Sequence, residues 1–262
     1  GPPGPDAAGR WGVALVERSA GKVAVVKPQA GLFERWGSKG LAALETVCEA
    51  ATRAGLIVIL DAKRGDIGST AEHYAREAFG RYGAHAVTVN PYLGTDSVEP
   101  FFAHTGNDGG GVIALCRTSN PGGDDFQSLV TAPEHGGKPI YMHVAERVAN
   151  EWSQLGDCGL VVGATYPAEL AEIRAAAPSL PFLVPGVGAQ GGDAATVVEH
   201  GADVLGFTPT GLTDISMPIL MFCVAFGLSM DYEVFLLSRI KEEYDTTGDN
   251  DLAVAVGLEK TG

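Results

Sequence analysis

A chain of 262 residues with 45% apolar content is large enough for one α/β barrel or two small domains with an ample core, so disorder is not the expectation. Net charge is −14 and no Lys/Arg cluster could neutralise a row of phosphates, so nucleic acid is excluded as the main partner and any anionic ligand must be held locally. Cys48, Cys116, Cys158 and Cys223 form no C-x-x-C pair, and the histidines form no H-E-x-x-H or H-x-H pattern. The expectation is reduced packing thiols, no metal and no transition-metal cofactor, in a cytoplasmic protein. The opening Gly1-Pro2-Pro3-Gly4-Pro5 has neither a basic n-region nor an apolar h-region, so it does not read as a secretory signal. Without an initiating Met, the start is expected to be processed or to lie upstream.

Taken in chain order, Trp11 to Ser19 reads more readily as a short helix than as a strand. After it, one pattern recurs: a short apolar run, a loop with Gly, Pro or polar residues, then an amphipathic stretch of helical length. Strands are predicted at residues 23–26, 57–60, 86–89, 112–115, 160–162, 182–184 and 204–207. Helices are predicted at 38–54, 69–82, 96–104, 140–155, 167–177 and 193–200, with Ser69 and Asp193 as N-caps and Gly55 and Gly201 as stops. Apart from the longer interval between the strands at 112–115 and 160–162, strand starts recur about every 20 to 35 residues, the repeat of an α/β fold of the (β/α)8 TIM-barrel type. Seven strands are legible, and the barrel is expected to lack its first.

Residues 212–262 differ in kind from residues 1–211 and are read as a separate tail. Ile215 to Met230 is a run of sixteen residues without a charge, followed by Asp231-Tyr232-Glu233. At 1.5 Å per residue it covers about 24 Å, short of a ~30 Å hydrocarbon core, so length alone favours a buried helix of a soluble domain.

The strand ends carry the chemistry-bearing residues, and in a barrel the C-terminal strand ends converge on one mouth. Asp61 and Lys63, two apart at the end of an apolar run, are expected to project from one face as neighbouring charges. Asp66 follows in a glycine-containing turn, free to point elsewhere and serve another subunit's site. Lys27 ends the strand before them. By itself D-x-K-x-x-D is an ordinary solvated loop, but Lys27, Asp61 and Lys63 together make an alternating charge array tolerable in a partly buried mouth. Further on, the glycine-rich turn from Pro185 to Asp193 opens a helix. Backbone N–H groups of Gly191 and Gly192 are expected to face a phosphate there.

In order, Val25-Val26-Lys27-Pro28-Gln29, Asp61-Ala62-Lys63-Arg64-Gly65-Asp66-Ile67-Gly68-Ser69-Thr70, Asn90-Pro91-Tyr92-Leu93-Gly94, Arg117-Thr118-Ser119-Asn120-Pro121 and the Pro185–Asp193 turn resemble the bacterial type 2 orotidine 5′-phosphate decarboxylases, over roughly residues 6 to 207. The resemblance implies a cofactor-free barrel homodimer, joined through the barrel mouth, that takes a nucleotide and converts orotidine 5′-phosphate to UMP in pyrimidine synthesis. It implies that Lys27, Asp61 and Lys63 form the charged array, and that Asp66 and Thr70 reach into the neighbouring subunit's site. Ser119 would contact the pyrimidine, and Gln190, Gly191 and Gly192 the phosphate. Loss of CO2 from C6 leaves a carbanion that the ring π system cannot delocalise, so a fixed cation with a ready proton is needed, and Lys63 has both. Asp61 beside the substrate carboxylate would disfavour the ground state.

Two features depart from the family. Its first strand, whose end carries a ribose-binding aspartate, has no counterpart, and Phe207-Thr208-Pro209-Thr210-Gly211 lacks the phosphate-clamping arginine. Asp214-Ile215-Ser216-Met217-Pro218 and Phe226-Gly227-Leu228-Ser229-Met230-Asp231-Tyr232-Glu233 resemble instead a transmembrane segment of the mycobacterial large membrane transporters. That resemblance overrides the length argument. It implies a chimeric chain, impaired in activity, whose residues 215–237 associate with membrane. Alternatives are a phosphosugar lyase or synthase of the same barrel superfamily, some of which use D-x-K around Mg²⁺, and a non-catalytic membrane-associated fusion.

Overall fold

The computed structural model describes residues 4–104, 110–187 and 192–201. Within them six parallel strands form one sheet in sequence order, each joined to the next by a helical crossover: β1 (Val25–Val26), β2 (Ile57–Arg64), β3 (Ala86–Val89), β4 (Gly111–Arg117), β5 (Cys158–Val162) and β6 (Phe182–Leu183). This is the wall of a β/α barrel through six strands. The strand expected at 204–207 and the tail 212–262, with its apolar run 215–237, lie outside the described residues. Among the described residues no helix is long and apolar enough to cross a membrane.

Alternation along the strands divides the core in two. Ile59, Ala86, Ile113, Leu115, Val161 and Leu183 pack together as the layer that lines the inside of the wall. The opposite faces, with Val58, Leu60, Val87, Val112 and Leu160, join the helices in the main core. Inward positions continue at a period of two, so Asp61 follows Ile59 and Thr88 follows Ala86 at the C-terminal end of the lining layer.

Helix α1 (Pro5–Ser19) confirms the helical reading of Trp11–Ser19 and extends it to Pro5, which sits in the first turn with Asp6 where a missing N–H and a carboxylate are both favourable. It lies against α3 (Ser38–Arg53) along a seam of small residues. A Cβ on Gly12 would fall 2.6 Å from Val47 Cγ2, so only glycine allows this approach. At the end of α3, Gly55 at φ +74° donates to Thr52 O while Leu56 donates to Ala51 O, the paired bonds of a Schellman cap, as expected of Gly55.

Several boundaries differ from the sequence reading. A short helix α2 (Ala30–Glu34) precedes α3, and β2 continues four residues beyond Leu60, through Lys63 to Arg64. Ser69 is not a cap: α4 (Gly68–Ala75) begins one residue earlier, with Ile67 at the cap and the Asp66 carboxylate accepting the Ile67 N–H at 2.8 Å. Beyond α4 the chain widens into a π-helical turn, Arg76–Arg81. The helix expected over 140–155 is α6 (Ile140–Asn150) followed by a separate 3-10 turn, Trp152–Gln154, because the indole of Trp152 turns inward to donate to Thr95 Oγ1. α5 (Thr95–Ala103), α7 (Pro167–Ala176) and α8 (Ala194–Gly201) fall where predicted to within a residue. Asp193 caps α8, accepting from Thr196 N and Oγ1. Cys48, Cys116 and Cys158 are buried free thiols, with burial pushing Cys48 and Cys158 each up to about 12; Cys223 lies outside the described residues.

Candidate active site

The strand-end charges meet. Lys27 Nζ donates to Asp61 Oδ2 at 2.8 Å and Lys63 Nζ to Asp61 Oδ1 at 2.6 Å, so one carboxylate bridges two ammonium groups. Lys27 gets there because Lys27-Pro28-Gln29 runs on beside β2, with the Asp61 N–H donating to Pro28 O at 3.0 Å. The two lysines are not equivalent. The Lys27 side chain is 10% exposed, whereas that of Lys63 is 44% exposed at the C-terminal end of the lining layer. Burial alone would raise the Asp61 carboxyl, but the Lys27 and Lys63 charges and hydrogen bonds outweigh it and hold the group below the usual carboxylate range. Asp61 is thus a fixed anion, and Lys63 an ammonium tethered at one end with its face to solvent.

Lys63 holds its position at φ +47°, the only non-glycine residue at positive φ among those described. A left-handed non-glycine backbone costs on the order of 1–3 kcal/mol and persists only where neighbours enforce it. The enforcement comes from Thr88, which the motif reading passed over, and from Arg64, which it included without giving it a role. Thr88 Oγ1 accepts from both Ala62 N and Lys63 N at 3.0 Å and donates to Asp61 Oδ1 at 2.8 Å. Arg64 Nη2 reaches Glu34 at 2.6 Å and Glu77 at 3.1 Å, while its carbonyl accepts from Asn90 N at 2.7 Å. No sequence signal marks Thr88, since threonine is ordinary in a strand. Arg64 stands in the motif, but its partners lie 30 and 13 residues away.

The other expected site residues stay apart from this cluster. Asp66 is half-buried, and among the described residues the Ile67 N–H is its sole hydrogen-bond partner, so no hydrogen bond or ion pair joins it to Lys63. Thr70 is exposed in the first turns of α4. Ser119 lies half-buried in the loop after β4, and its carbonyl accepts from Thr165 Oγ1 at 3.1 Å. That loop is fastened from beneath by Arg117, 1% exposed, which pairs with Glu169, reaches Asp124 at 2.6 Å and stacks 3.8 Å from the centre of the Tyr166 ring. Gly163 lets the β5 end approach it: a Cβ there would lie 2.7 Å from Ser119 Cα. Gln190 and Gly191 fall outside the described residues. Gly192 corrects the expectation of a free donor, because its N–H is spent on Gly186 O at 3.0 Å. Its added Cβ would lie 2.5 Å from Ala164 Cβ and 2.6 Å from Gly186 O, so glycine is required there to close the base of the loop.

Comparison with known proteins identifies the family. The family model for "Orotidine 5'-phosphate decarboxylase / HUMPS family" matches residues 12–203, and that for the MMPL family matches residues 195–262. The orotidine 5′-phosphate decarboxylase of Bordetella petrii is 50% identical over 205 residues, covering 77% of this chain and 72% of its own length. That of Bordetella avium is 62% identical over 149 residues, covering 56% of this chain and 53% of its own. Among solved structures, the OMP decarboxylase of Leishmania donovani superposes with a TM-score of 0.68 at 42% identity, over 76% of this chain and 74% of that one. With the family model, the fold and these relatives in agreement, the chain belongs to the orotidine 5′-phosphate decarboxylase family.

Proposed function

We propose that Lys63 is the electrostatic stabiliser and proton donor by which this orotidine 5′-phosphate decarboxylase makes UMP in pyrimidine biosynthesis. The C6–CO2 bond breaks, its electron pair stays on C6, and Lys63 Nζ delivers the proton that completes UMP. The observation that carries this is the Lys27–Asp61–Lys63 bridge, with the exposed member positioned to meet a ligand. Asp61, kept anionic, repels the substrate carboxylate more than the CO2-like transition state and anchors Lys63. Binding of the distant phosphate by Gln190 and Gly191 offsets the cost of bringing that carboxylate to Asp61.

The phosphosugar lyase reading with Mg²⁺ fits less well. Both Asp61 oxygens already accept from ammonium groups, and Oδ1 from Thr88 as well, so the D-x-K carboxylate has little left to offer a cation. The test is Lys63→Ala, followed by the loss of orotidine 5′-phosphate absorbance. Turnover is expected to fall by about 100- to 10,000-fold or more, with phosphate-dependent binding of UMP largely kept. Turnover near that of the parent would remove Lys63 from this role.

The partner and the tail belong to the same reading. Asp66 and Thr70, neither of which bonds to its own Lys63 among the described residues, complete the site of a second copy across the barrel mouth. Exposed Ile67, Tyr92, Leu93 and Phe126 in the adjoining loops supply apolar area for that contact. Residues 212–262 are a segment of transporter origin fused to the decarboxylase. The MMPL match and the Asp231-Tyr232 pair support this, and resequencing across residues 204–214 tests it.

A further inference from the structure

β2 and β3 pair in step up to Leu60 opposite Val87 and resume at Arg64 opposite Val89. Between these pairs, Asp61, Ala62 and Lys63 on β2 face Thr88 alone on β3. Such a bulge leaves backbone N–H groups without ladder partners and re-aims side chains, here that of Lys63 at φ +47°. The Thr88 side chain takes up what the ladder drops. A hydroxyl has one proton and two lone pairs. Both lone pairs are filled by Ala62 N and Lys63 N at 3.0 Å, and the proton is directed to Asp61 Oδ1 at 2.8 Å. The group is fully buried and saturated, so it cannot rotate to another arrangement.

We infer that Thr88 is a positioning residue for the decarboxylation, a staple across the bulge that fixes where Lys63 presents its ammonium. The inference rests on the assignment of Lys63 above. Two consequences follow from the same three hydrogen bonds. The backbone of Lys63 is held in a conformation that it would otherwise leave. Asp61 Oδ1 accepts from Thr88 as well as from Lys63 Nζ, so the carboxylate is fixed in the orientation against which Lys63 Nζ rests at 2.6 Å. Valine has the shape of threonine without the hydroxyl, and serine has the hydroxyl without the methyl, so the two substitutions separate the staple from packing.

The experiment compares Thr88→Val, Thr88→Ser and Lys63→Ala in the whole chain, by steady-state kinetics and by residue-resolved amide exchange. For Thr88→Val the expected result is kcat down about 10- to 100-fold with KM within about threefold, the signature of a displaced reacting group. Exchange at Ala62 and Lys63 should rise at least about tenfold while Ile59 and Leu60 keep their protection. Thr88→Ser should restore both. Exchange reads the staple whether or not turnover is fast enough to measure. Unchanged amides and turnover in Thr88→Val beside a dead Lys63→Ala would overturn the role of Thr88 alone. So would a loss of protection spread along the whole of β2, or damage by serine equal to that by valine. An active Lys63→Ala would instead bring down the assignment of Lys63, and with it the catalytic meaning of the staple.

Discussion

Asp61 concentrates the site's dependence on charge in one carboxylate. Its folded-state pKa lies below the ordinary value, so the unfolded chain binds the proton more readily. The stability that it contributes is therefore present above about pH 4 and is lost as pH falls through the depressed folded value. Acid unfolding of the parent and of Asp61→Asn is expected to differ in this way: the parent should show an added loss of stability below about pH 4 that the variant lacks. Equal acid slopes would show that the bridge does not couple to folding. Asp61→Ala should be costlier, by about 3 kcal/mol, because it strands the nearly buried Lys27 ammonium, whereas Lys63 can turn to water. Denaturant midpoints of the two variants decide this. The motif reading reached Lys27, Asp61 and Lys63 because strand-end placement and period-two alternation are local properties. Thr88 was not legible, since its value lies in facing a bulge made by another strand.

At the scale of elements, the loops after β4 and β5 hold each other through a contact that admits no side chain. Gly163→Ala is expected to destabilise by about 1–3 kcal/mol, because its Cβ meets the Ser119 backbone and not a flexible side-chain end. It should also raise KM for orotidine 5′-phosphate more than it lowers kcat, given the pyrimidine contact proposed for Ser119. Gly80→Ala is the control, with nothing within 4 Å of the added Cβ, and should be neutral or slightly stabilising. Thermal unfolding together with initial rates would measure both. Arg117→Ala removes the fastening beneath the same loop, and the expected loss is roughly 2–4 kcal/mol, moderated because Asp124 and Glu169 still reach solvent. Helix and strand existence followed from periodicity in nearly every case. Ends did not: β2 runs on through a bulge that interrupts the apolar pattern, and α6 stops where Trp152 finds Thr95.

For the molecule as a whole, the assignment of Asp66 to a neighbour's site makes an assembly prediction. Lys63→Ala and Asp66→Ala, each inactive alone, should regain roughly a quarter of parental activity when refolded together, because half the dimers are mixed and each mixed dimer has one intact site. No recovery, with dimers present by sedimentation, would place Asp66 in its own subunit's site. A chain ending at Gly211 should match the full chain in turnover and, unlike it, should not float with lipid vesicles; loss of activity on cutting would make the tail part of the enzyme.

The sequence by itself determined the β/α repetition, the strand-end array and the family, because these depend on short-range periodicity and on contiguous motifs such as Asp61 to Ile67. Only the tertiary structure decided that one Asp61 carboxylate bridges Lys27 and Lys63, that Gly192 closes a loop instead of offering its N–H, and that Thr88 saturates the bulge. Each of these depends on which backbone donor or acceptor is left over once strands from distant parts of the chain have paired. Such a remainder is a property of the register, and register is set by the packing of the whole wall.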